Sequence, residues 1–263
     1  LPVEVVNVTY RDSLGNLWIG YNNGEVWSYD GNYFKKHEIS DGLAQSVTAI
    51  SEDQQGAILV ATQDKGIFRL TGKGKGMPVK QGFDDQLITS LQVGDNLLLV
   101  GTQDGLFVCD FSNEDDTVVT QVDELSYIKI QCIKNAFIPS SFWVGTEDAG
   151  LYLVTIQEGT ISAKQIGKEY GLNIDNVQDV TTSSDSTLWV STFTTGLIKL
   201  TFSGSEAGKI NSYVKFNKST KFIADFIKTA YIDNEGNLWV GSYGAGFALS
   251  TNQALEFDVL ENT

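Results

Sequence analysis

The feature that most restricts the fold is a motif that recurs along the whole chain. The stretch Gly15-Asn16-Leu17-Trp18-Ile19-Gly20 near the start returns almost unchanged at 236–241 near the end. Weaker copies lie between them, 40 to 50 residues apart, so that six anchor positions align: Trp18, Leu59, Leu99, Trp143, Trp189 and Trp239. A period of roughly 40–50 residues sustained over a whole chain is typical of propellers and solenoids.

Each copy also places small residues at fixed distances after its anchor. Two positions on, the chain has Gly20, Ala61, Gly101, Gly145, Ser191 and Gly241. Six or seven positions after the anchor, it has Gly24, Gly66, Gly105, Gly150, Gly196 and Gly246. A small residue in a strand allows a neighbouring backbone or side chain to approach closely, and a glycine between two strands favours a tight turn.

Every copy can be divided into four short strands. An apolar, β-branched stretch such as Val47-Thr48-Ala49-Ile50 comes first, followed by an Asp-x-x-Gly turn such as 233–236. The anchor strand is apolar at nearly every position, which indicates that both of its faces are covered. A second hairpin leads to a third strand, and a more polar fourth strand such as 33–39 ends the unit.

We therefore predict an all-β fold, a six-bladed β-propeller of four-stranded antiparallel blades forming a single domain over 1–263. The expected blades are approximately 1–45, 46–86, 87–127, 128–174, 175–224 and 225–263. The end copies are the best formed, whereas a solenoid needs polar capping repeats. We expect the sixth blade to pack on the first without exchange of a strand.

Composition excludes several classes of function. The chain has 18 Lys and Arg against 33 Asp and Glu, a net charge of −15, which would repel nucleic acid and anionic lipid. No apolar run approaches the ~20 residues of a membrane span. The single histidine, His37, lies in a charged stretch expected at an edge strand. Cys109 and Cys132 are expected to be two buried, inert thiols, with a disulfide bridge between them as the alternative.

The composite copy, V-x-x-[IV]-x-x-D-x-x-G-x-L-W-[IV]-G-T-x-x-x-G-[LI], resembles the two-component regulator propeller repeat. The linkers 40–43 and 169–172, each ending in Gly-Leu before a strand, add to the resemblance. It implies the periplasmic sensor domain of a hybrid two-component system, exported from the cytoplasm, and allows a dimer in a signalling assembly. Leu59 and Leu99 depart from the tryptophan of the pattern, and nothing in the chain resembles a kinase.

Other propeller classes share parts of the motif. Sialidases need three arginines for the sugar carboxylate, whereas this chain has only Arg11 and Arg69. Virginiamycin-lyase propellers also carry a D-x-x-G-x-[IL]-W turn, and they would require a catalytic histidine, for which His37 is the one candidate. An enzyme, either a lyase or a glycan hydrolase using carboxylates at the channel mouth, therefore stays as the alternative function.

Propellers commonly bind ligands where the hairpins between second and third strands meet the linkers between blades. The repeat places a set of aromatic, amide and acidic residues there: Tyr21, Asn22, Gln63, Asp64, Gln103, Asp104, Tyr127, Glu147, Asp148, Tyr170, Phe193 and Tyr243, with Thr194 and Phe222 beside them. Aromatic rings beside amide and carboxylate groups suit sugars. The alternative interpretation is that Asp and Asn at hairpin tips form turns and make no contact with a ligand.

We expect a non-catalytic sensory propeller that recognises an oligosaccharide or a protein partner, without nucleic acid and without direct membrane insertion of this chain. No catalytic residues and no cofactor are predicted. Acidic hairpin tips such as Asp64, Asp104 and Asp148 leave room for calcium between blades, although the chain lacks a dense D-x-D ligand loop.

Overall fold

The computed structural model describes residues 3–39, 45–63, 65–71, 75–79, 83, 86–110, 118–183, 186–203, 208–251 and 258–260. Within these ranges the chain forms six antiparallel sheets of four strands, the blades of a six-bladed β-propeller. This confirms the predicted fold class. Each sheet consists of four strands that are consecutive in the sequence, so the described strands show no exchange between blades.

The chain divides into two compact units, Leu1–Ile130 and Gln131–Thr263. The first holds three sheets. Blade 1 consists of β1 (Val6–Arg11), β2 (Leu17–Tyr21), β3 (Val26–Tyr29) and β4 (Phe34–His37). Blade 2 consists of β5 (Val47–Glu52), β6 (Ile58–Thr62), β7 (Ile67–Leu70) and β8 (Met77–Pro78). Blade 3 consists of β9 (Ile88–Gly94), β10 (Leu97–Thr102), β11 (Gly105–Asp110) and β12 (Val118–Gln121).

The second unit holds the other three sheets, and the division falls at the start of β13. Blade 4 consists of β13 (Ile130–Asn135), β14 (Ser141–Thr146), β15 (Leu151–Gln157) and β16 (Thr160–Ile166). Blade 5 consists of β17 (Val177–Thr182), β18 (Thr187–Thr192), β19 (Leu197–Phe202) and β20 (Ile210–Phe216). Blade 6 consists of β21 (Ile227–Ile232), β22 (Leu238–Ser242), β23 (Phe247–Ser250) and β24 (Asp258–Leu260).

Helical structure in the described residues is confined to three single turns of 3-10 helix, Asp123–Leu125, Lys168–Tyr170 and Lys218–Thr220. Each lies in the linker that follows the last strand of a blade. No helix of the described residues is long and apolar enough to cross a membrane.

The core consists of apolar side chains between successive blades of each unit. Trp18 of blade 1 packs with Val47, Ile50 and Val60 of blade 2, and Trp143 of blade 4 packs with Val177, Val180 and other residues of blade 5. The small residues after the anchors make this packing close. A Cβ atom on Gly20 would lie 2.5 Å from Cγ1 of Val47, and one on Gly145 would lie 2.5 Å from Cγ1 of Val177.

The Asp-x-x-Gly turn has a second function besides turning the chain. In blade 1, the carboxylate of Asp12 accepts hydrogen bonds from the backbone N–H groups of Leu14 and Asn16, the side-chain amide of Asn16 and the indole N–H of Trp18. Asp233 makes the corresponding bonds to Asn237 and Trp239 in blade 6. The turn therefore fixes the anchor tryptophan as well as the hairpin.

Hydrogen bonds lower the pKa values of both carboxylates. The bonds from Trp239 and Asn237 lower the pKa of Asp233 to about 2. At Asp12, burial alone would raise the pKa, but the bonds from Trp18, Asn16 and Leu14 outweigh it and lower the pKa. Both groups are therefore carboxylates at neutral pH, which is the form that accepts these bonds.

Candidate functional site

A backbone hydrogen bond builds the predicted ligand face in the same way in blades 1, 2, 3, 5 and 6. The first residue of the hairpin after each second strand donates its N–H to the carbonyl of the residue just before the first strand of that blade. The pairs are Asn22 to Val5 (3.0 Å), Gln63 to Ser46 (2.9 Å), Gln103 to Leu87 (3.1 Å), Phe193 to Asn176 (2.9 Å) and Tyr243 to Phe226 (2.9 Å). Each blade thus contributes two adjacent positions to the face.

In blades 2 to 6, the threonine or serine that ends the second strand stabilises the hairpin. The hydroxyl groups of Thr62, Thr102, Thr146, Thr192 and Ser242 donate to the carbonyl of the glycine that begins the next strand or lies just before it, at 2.7 to 3.2 Å. They also accept a backbone N–H from within the hairpin. These residues are therefore structural, and the exposed residues between them and the glycine are available to a ligand.

Most of the predicted face residues are exposed. In the first unit these are Asn22, Gln63, Gln103, Asp104 and Tyr127, and in the second Asp148, Tyr170, Phe193, Thr194 and Tyr243, while Glu147 is half-buried. Tyr127 donates its backbone N–H to the carbonyl of Asp104 at 2.9 Å, so these two predicted residues lie together. Asp64 lies outside the described residues.

Two predicted positions do not reach the surface. The side chain of Tyr21 is 3% exposed, because it stands where blades 2 to 5 have the buried Thr that ends the second strand. Phe222 packs in the core between blades 5 and 6, with Trp189 and Ile227. Both were expected on the ligand face, and the structure places both in the interior.

Three exposed aromatic rings meet on the face of the second unit. The ring of Phe193 lies 5.1 Å from that of Phe226 and 6.0 Å from that of Tyr243, measured between centroids. Their exposed fractions are 38%, 43% and 69% for Phe193, Phe226 and Tyr243. We call these three residues the aromatic cluster. Exposed rings that contact one another form an apolar surface larger than any single ring offers.

A row of polar side chains lies beside the aromatic cluster. Lys228 Nζ donates to Gln178 Oε1 at 3.0 Å, and Gln178 Nε2 donates to Asn176 Oδ1 at 2.6 Å. Asn176 is the residue whose carbonyl binds the backbone of Phe193. Gln178 follows Asn176 by two residues, and Lys228 follows Phe226 by two, so amide and ammonium groups that can accept and donate hydrogen bonds lie on the strands that begin at the cluster.

The position of these polar groups depends on a β-bulge. In blades 1, 2, 3, 5 and 6 the pairing of the first two strands shifts after the first residue, as between Val177 and Asp179 and between Ile227 and Thr229. The skipped residues include Gln178 and Lys228. Bulges commonly redirect a side chain next to a functional site.

Sequence reasoning missed Phe226, Asn176, Gln178 and Lys228. A signal existed, because the second residue of every first strand is polar: Asn7, Thr48, Thr89, Gln131, Gln178 and Lys228. Regular side-chain alternation assigns these positions to one face of a continuous strand. The bulge, at which the pairing skips Gln178 and Lys228, is not visible in the sequence. Phe226 could have been found as the residue preceding a predicted first strand.

The histidine and the cysteines are not part of this face. His37 accepts or donates a bond with Ser28 Oγ at 2.8 Å, and its ring lies 4.5 Å from that of Trp18. Burial, with a smaller effect of Lys35, lowers the pKa of His37 to about 4. Cys109 and Cys132 are buried and free, and burial raises the pKa of each to about 12.

The described residues contain no group of three or more His, Cys, Asp or Glu side chains that could hold a metal ion. Glu147 is instead hydrogen-bonded to Gln131 at 3.3 Å. Calcium therefore stays a prediction of the sequence, with Asp64 outside the described ranges.

Comparison with known proteins bears on the identity of the repeat. The family described as "Two component regulator propeller" matches residues 221–244, which include the turn of Asp233, the anchor Trp239 and Tyr243 of the aromatic cluster. This segment, which comprises the first two strands of blade 6 and the end of the linker before them, therefore matches the two-component regulator propeller repeat. This confirms the resemblance seen in the sequence. No curated protein sequence matches the chain.

Solved structures share the fold at low sequence identity. The extracellular domain assigned to a hybrid two component system of B. thetaiotaomicron matches with a TM-score of 0.74 and 18% identity, covering 99% of this chain and 33% of that one. The chain thus spans about a third of that domain. A catalytically inactive virginiamycin B lyase from Staphylococcus aureus, solved with quinupristin, matches with a TM-score of 0.74 and 15% identity over 95% of this chain and 82% of its own.

The propeller domain of Cps50 (Swd1) from Myceliophteria thermophila also matches, with a TM-score of 0.71 and 12% identity over 98% of this chain and 87% of its own. At these identities, the three structures establish the propeller fold of this chain. They do not carry a ligand or an activity over to it.

Proposed function

We propose that this chain is a non-catalytic, ligand-binding sensory propeller of an exported two-component signalling protein. It recognises an oligosaccharide or a protein partner through the predicted ligand face. The family match at residues 221–244 and the similarity to an extracellular domain of a hybrid two component system support the signalling context and the export.

The exposure of the aromatic cluster is the main support for a binding function. Phe193, Phe226 and Tyr243 contact one another and remain exposed, although their rings would be more stable buried. The adjacent Gln178 and Lys228 offer amide and ammonium groups to hydroxyl or carbonyl oxygens. A pyranose ring can cover an aromatic ring with its C–H groups while its hydroxyls bind such polar neighbours.

The alternative, a propeller enzyme, has the fold of virginiamycin B lyase in its favour. Against it, His37 is bonded to Ser28, packs on Trp18 and has a pKa of about 4, so it would be a weak base at neutral pH. A lyase or hydrolase function would therefore depend on carboxylates such as Asp148 and Glu147.

A ligand screen tests the proposal. Purified chain is incubated with a panel of oligosaccharides and its thermal unfolding is followed, and each oligosaccharide that raises the Tm is analysed by mass spectrometry after hours of incubation. We expect at least one oligosaccharide to raise the Tm and to be recovered unchanged. A cleaved or dehydrated product would contradict the non-catalytic function. If no oligosaccharide raises the Tm, the sugar-binding half of the proposal is wrong and a protein partner remains.

Paired variants locate the binding surface. Phe193→Ala and Tyr243→Ala should each weaken binding of the selected oligosaccharide by about 10-fold or more, since a stacking ring contributes on the order of 1–2 kcal/mol. Tyr33→Ala is the matched control, because Tyr33 is an exposed aromatic residue in the turn between β3 and β4. Equal effects of Tyr33→Ala and Tyr243→Ala would exclude the aromatic cluster as the site.

A further inference from the structure

The hydrogen bonds between blades 5 and 6 have a direction that a lysine sets. We call Asn176, Gln178 and Lys228 the polar row. An ammonium group has no acceptor, so the atom of Gln178 that lies 3.0 Å from Lys228 Nζ is the oxygen Oε1. Gln178 therefore turns its Nε2 to Asn176, which presents Oδ1 to it at 2.6 Å. The lysine thus fixes the orientation of both amides.

This direction leaves the polar row rich in donors. Oε1 of Gln178 and Oδ1 of Asn176 each already accept a bond from within the row. An ammonium group has three N–H bonds and each side-chain amide has two, so several N–H groups remain for a ligand. A negative group with several oxygen atoms matches such donors better than a hydroxyl does, because charge-assisted hydrogen bonds are the stronger ones.

The carboxylates nearest to the polar row in the sequence bind other donors. Asp179 accepts the hydroxyl of Thr229 at 2.6 Å, and Asp225 accepts the backbone N–H of Lys218 at 2.8 Å. In the described ranges, the ion pairs within 4.0 Å do not include Lys228. No described carboxylate therefore neutralises Lys228 at contact distance.

The polar row begins at the aromatic cluster. The backbone carbonyl of Asn176 accepts the N–H of Phe193 at 2.9 Å, and Lys228 follows Phe226 by two residues. Taking the proposed binding function as given, we propose that the saccharide recognised here is acidic. A sugar ring covers the aromatic cluster, and a carboxylate or sulfate group of the same saccharide accepts N–H bonds from Lys228 and Asn176.

The net charge of the chain makes this preference a local property. At −15, the long-range field of the protein disfavours any anionic ligand. The preference for an acidic sugar must therefore come from contacts at the site, where Lys228 is the charged member of the polar row. Removing the lysine should abolish the preference and favour the neutral sugar instead.

Isothermal titration calorimetry with matched pairs of saccharides tests the inference. Short oligogalacturonides and oligoguluronates are compared with the same compounds after reduction of their carboxylates to alcohols. Sulfated carrageenan oligosaccharides are compared with their desulfated forms. We expect at least one acidic saccharide to bind the wild type about 10-fold or more tightly than its neutral partner. The pair that shows this preference identifies the recognised group as carboxylate or sulfate.

The ratio of the two affinities is then measured in variants. Lys228→Met keeps the length of the side chain and removes its charge, so it should bring the ratio to one or below. Lys164→Met is the matched control, since it removes a positive charge from β16 in the same unit. The pair of Lys164 with Glu169 is exposed to water, so its loss should leave both folding and the ratio unchanged.

The outcomes separate this inference from the proposed function. If neutral saccharides bind at least as tightly as their acidic partners, the inference is wrong and the sugar-binding function stands. If Lys228→Met retains the preference, or Lys164→Met loses it equally, the polar row does not produce it and the inference is wrong. If no saccharide of any pair binds, the inference and the sugar-binding function are both wrong.

Discussion

Arg69 donates from Nε to Oδ2 of Asp53 at 2.7 Å. This bond to the turn aspartate of blade 2 replaces the one that a tryptophan makes in blade 1. In blade 1, the matching oxygen of Asp12 accepts the indole N–H of Trp18. Blade 2 has Leu59 at the anchor, which has no donor, and Arg69 is the residue directly opposite Leu59 on β7. A cross-strand arginine therefore satisfies the carboxylate that the missing indole would have left unpaired.

Removing Arg69 should destabilise the protein more than removing an exposed lysine. The pair with Asp53 is largely shielded from water, so Arg69→Ala leaves a carboxylate without its charged donor, at a cost of about 1–3 kcal/mol. Lys36→Ala breaks the more exposed pair with Glu25 and should change the free energy of unfolding by less than about 1 kcal/mol. Urea unfolding of both variants checks the order, and equal losses would contradict it.

Two anchor tryptophans should respond differently to the same substitution. The indole N–H of Trp143 has no hydrogen-bond partner in the described part of the chain, because Phe137 stands six positions before it, where Asp12 precedes Trp18. Trp18→Phe removes a bond to a carboxylate and should lower the free energy of unfolding by about 2–3 kcal/mol. Trp143→Phe removes an unsatisfied donor, which offsets the lost packing, so the change should stay within about 1 kcal/mol.

The same urea titrations decide this prediction. Trp143 is the more deeply buried of the two rings, so packing alone would make its replacement the costlier one. A larger loss in Trp143→Phe than in Trp18→Phe would show that packing dominates over hydrogen bonding at the anchors.

His37 should make the protein less stable in mild acid. Its pKa is about 4 in the folded protein and near 6.5 when unfolded, so the unfolded state binds more protons between these values. Stability is full above about pH 6.5, falls as the pH is lowered toward 4, and changes no further through this group below that. Because His37 is partly exposed, we expect a loss on the order of 1–2 kcal/mol.

A histidine-free variant isolates this effect from the carboxylates. His37→Gln keeps a hydrogen-bonding group near Ser28 and should flatten the pH dependence of the Tm between pH 6.5 and 4. The carboxylate of Asp233, with its pKa near 2, loses its contribution only as the pH falls below about 3.8 and would be unaffected. An unchanged pH profile in His37→Gln would exclude His37 as the cause.

The two thiols should not react with disulfide reagents in the native protein. Burial raises the pKa of Cys109 and Cys132 to about 12, so almost no thiolate exists at neutral pH. We expect a disulfide reagent such as DTNB to label neither in native buffer and both in denaturant. Rapid labelling of one thiol without denaturant would show local opening of its blade.

The arrangement of strands and turns in the blades could be predicted from the sequence because local, repeated residue patterns specify it. The Asp-x-x-Gly turns at Asp12 and Asp233, the apolar anchor strands and the small residue after each anchor all act over a few residues. Six repetitions of the same weak pattern make it strong, and the described strands form six sheets of four. Tyr21 falls at a position that the repeat assigns to a hairpin tip, whereas in the structure it ends β2 and its side chain is buried.

What the sequence determined by itself is the repeat, and with it the number of blades, the strands of each blade and the hairpin face where Phe193 and Tyr243 lie. Only the tertiary structure decided the bulges at Gln178 and Lys228 and the burial of Tyr21 and Phe222. It also decided that Arg69 substitutes for an indole at Asp53. Local patterns fix strands because turns and side-chain alternation act over neighbouring residues, whereas bulges, burial and compensating contacts depend on which strand or blade a residue meets.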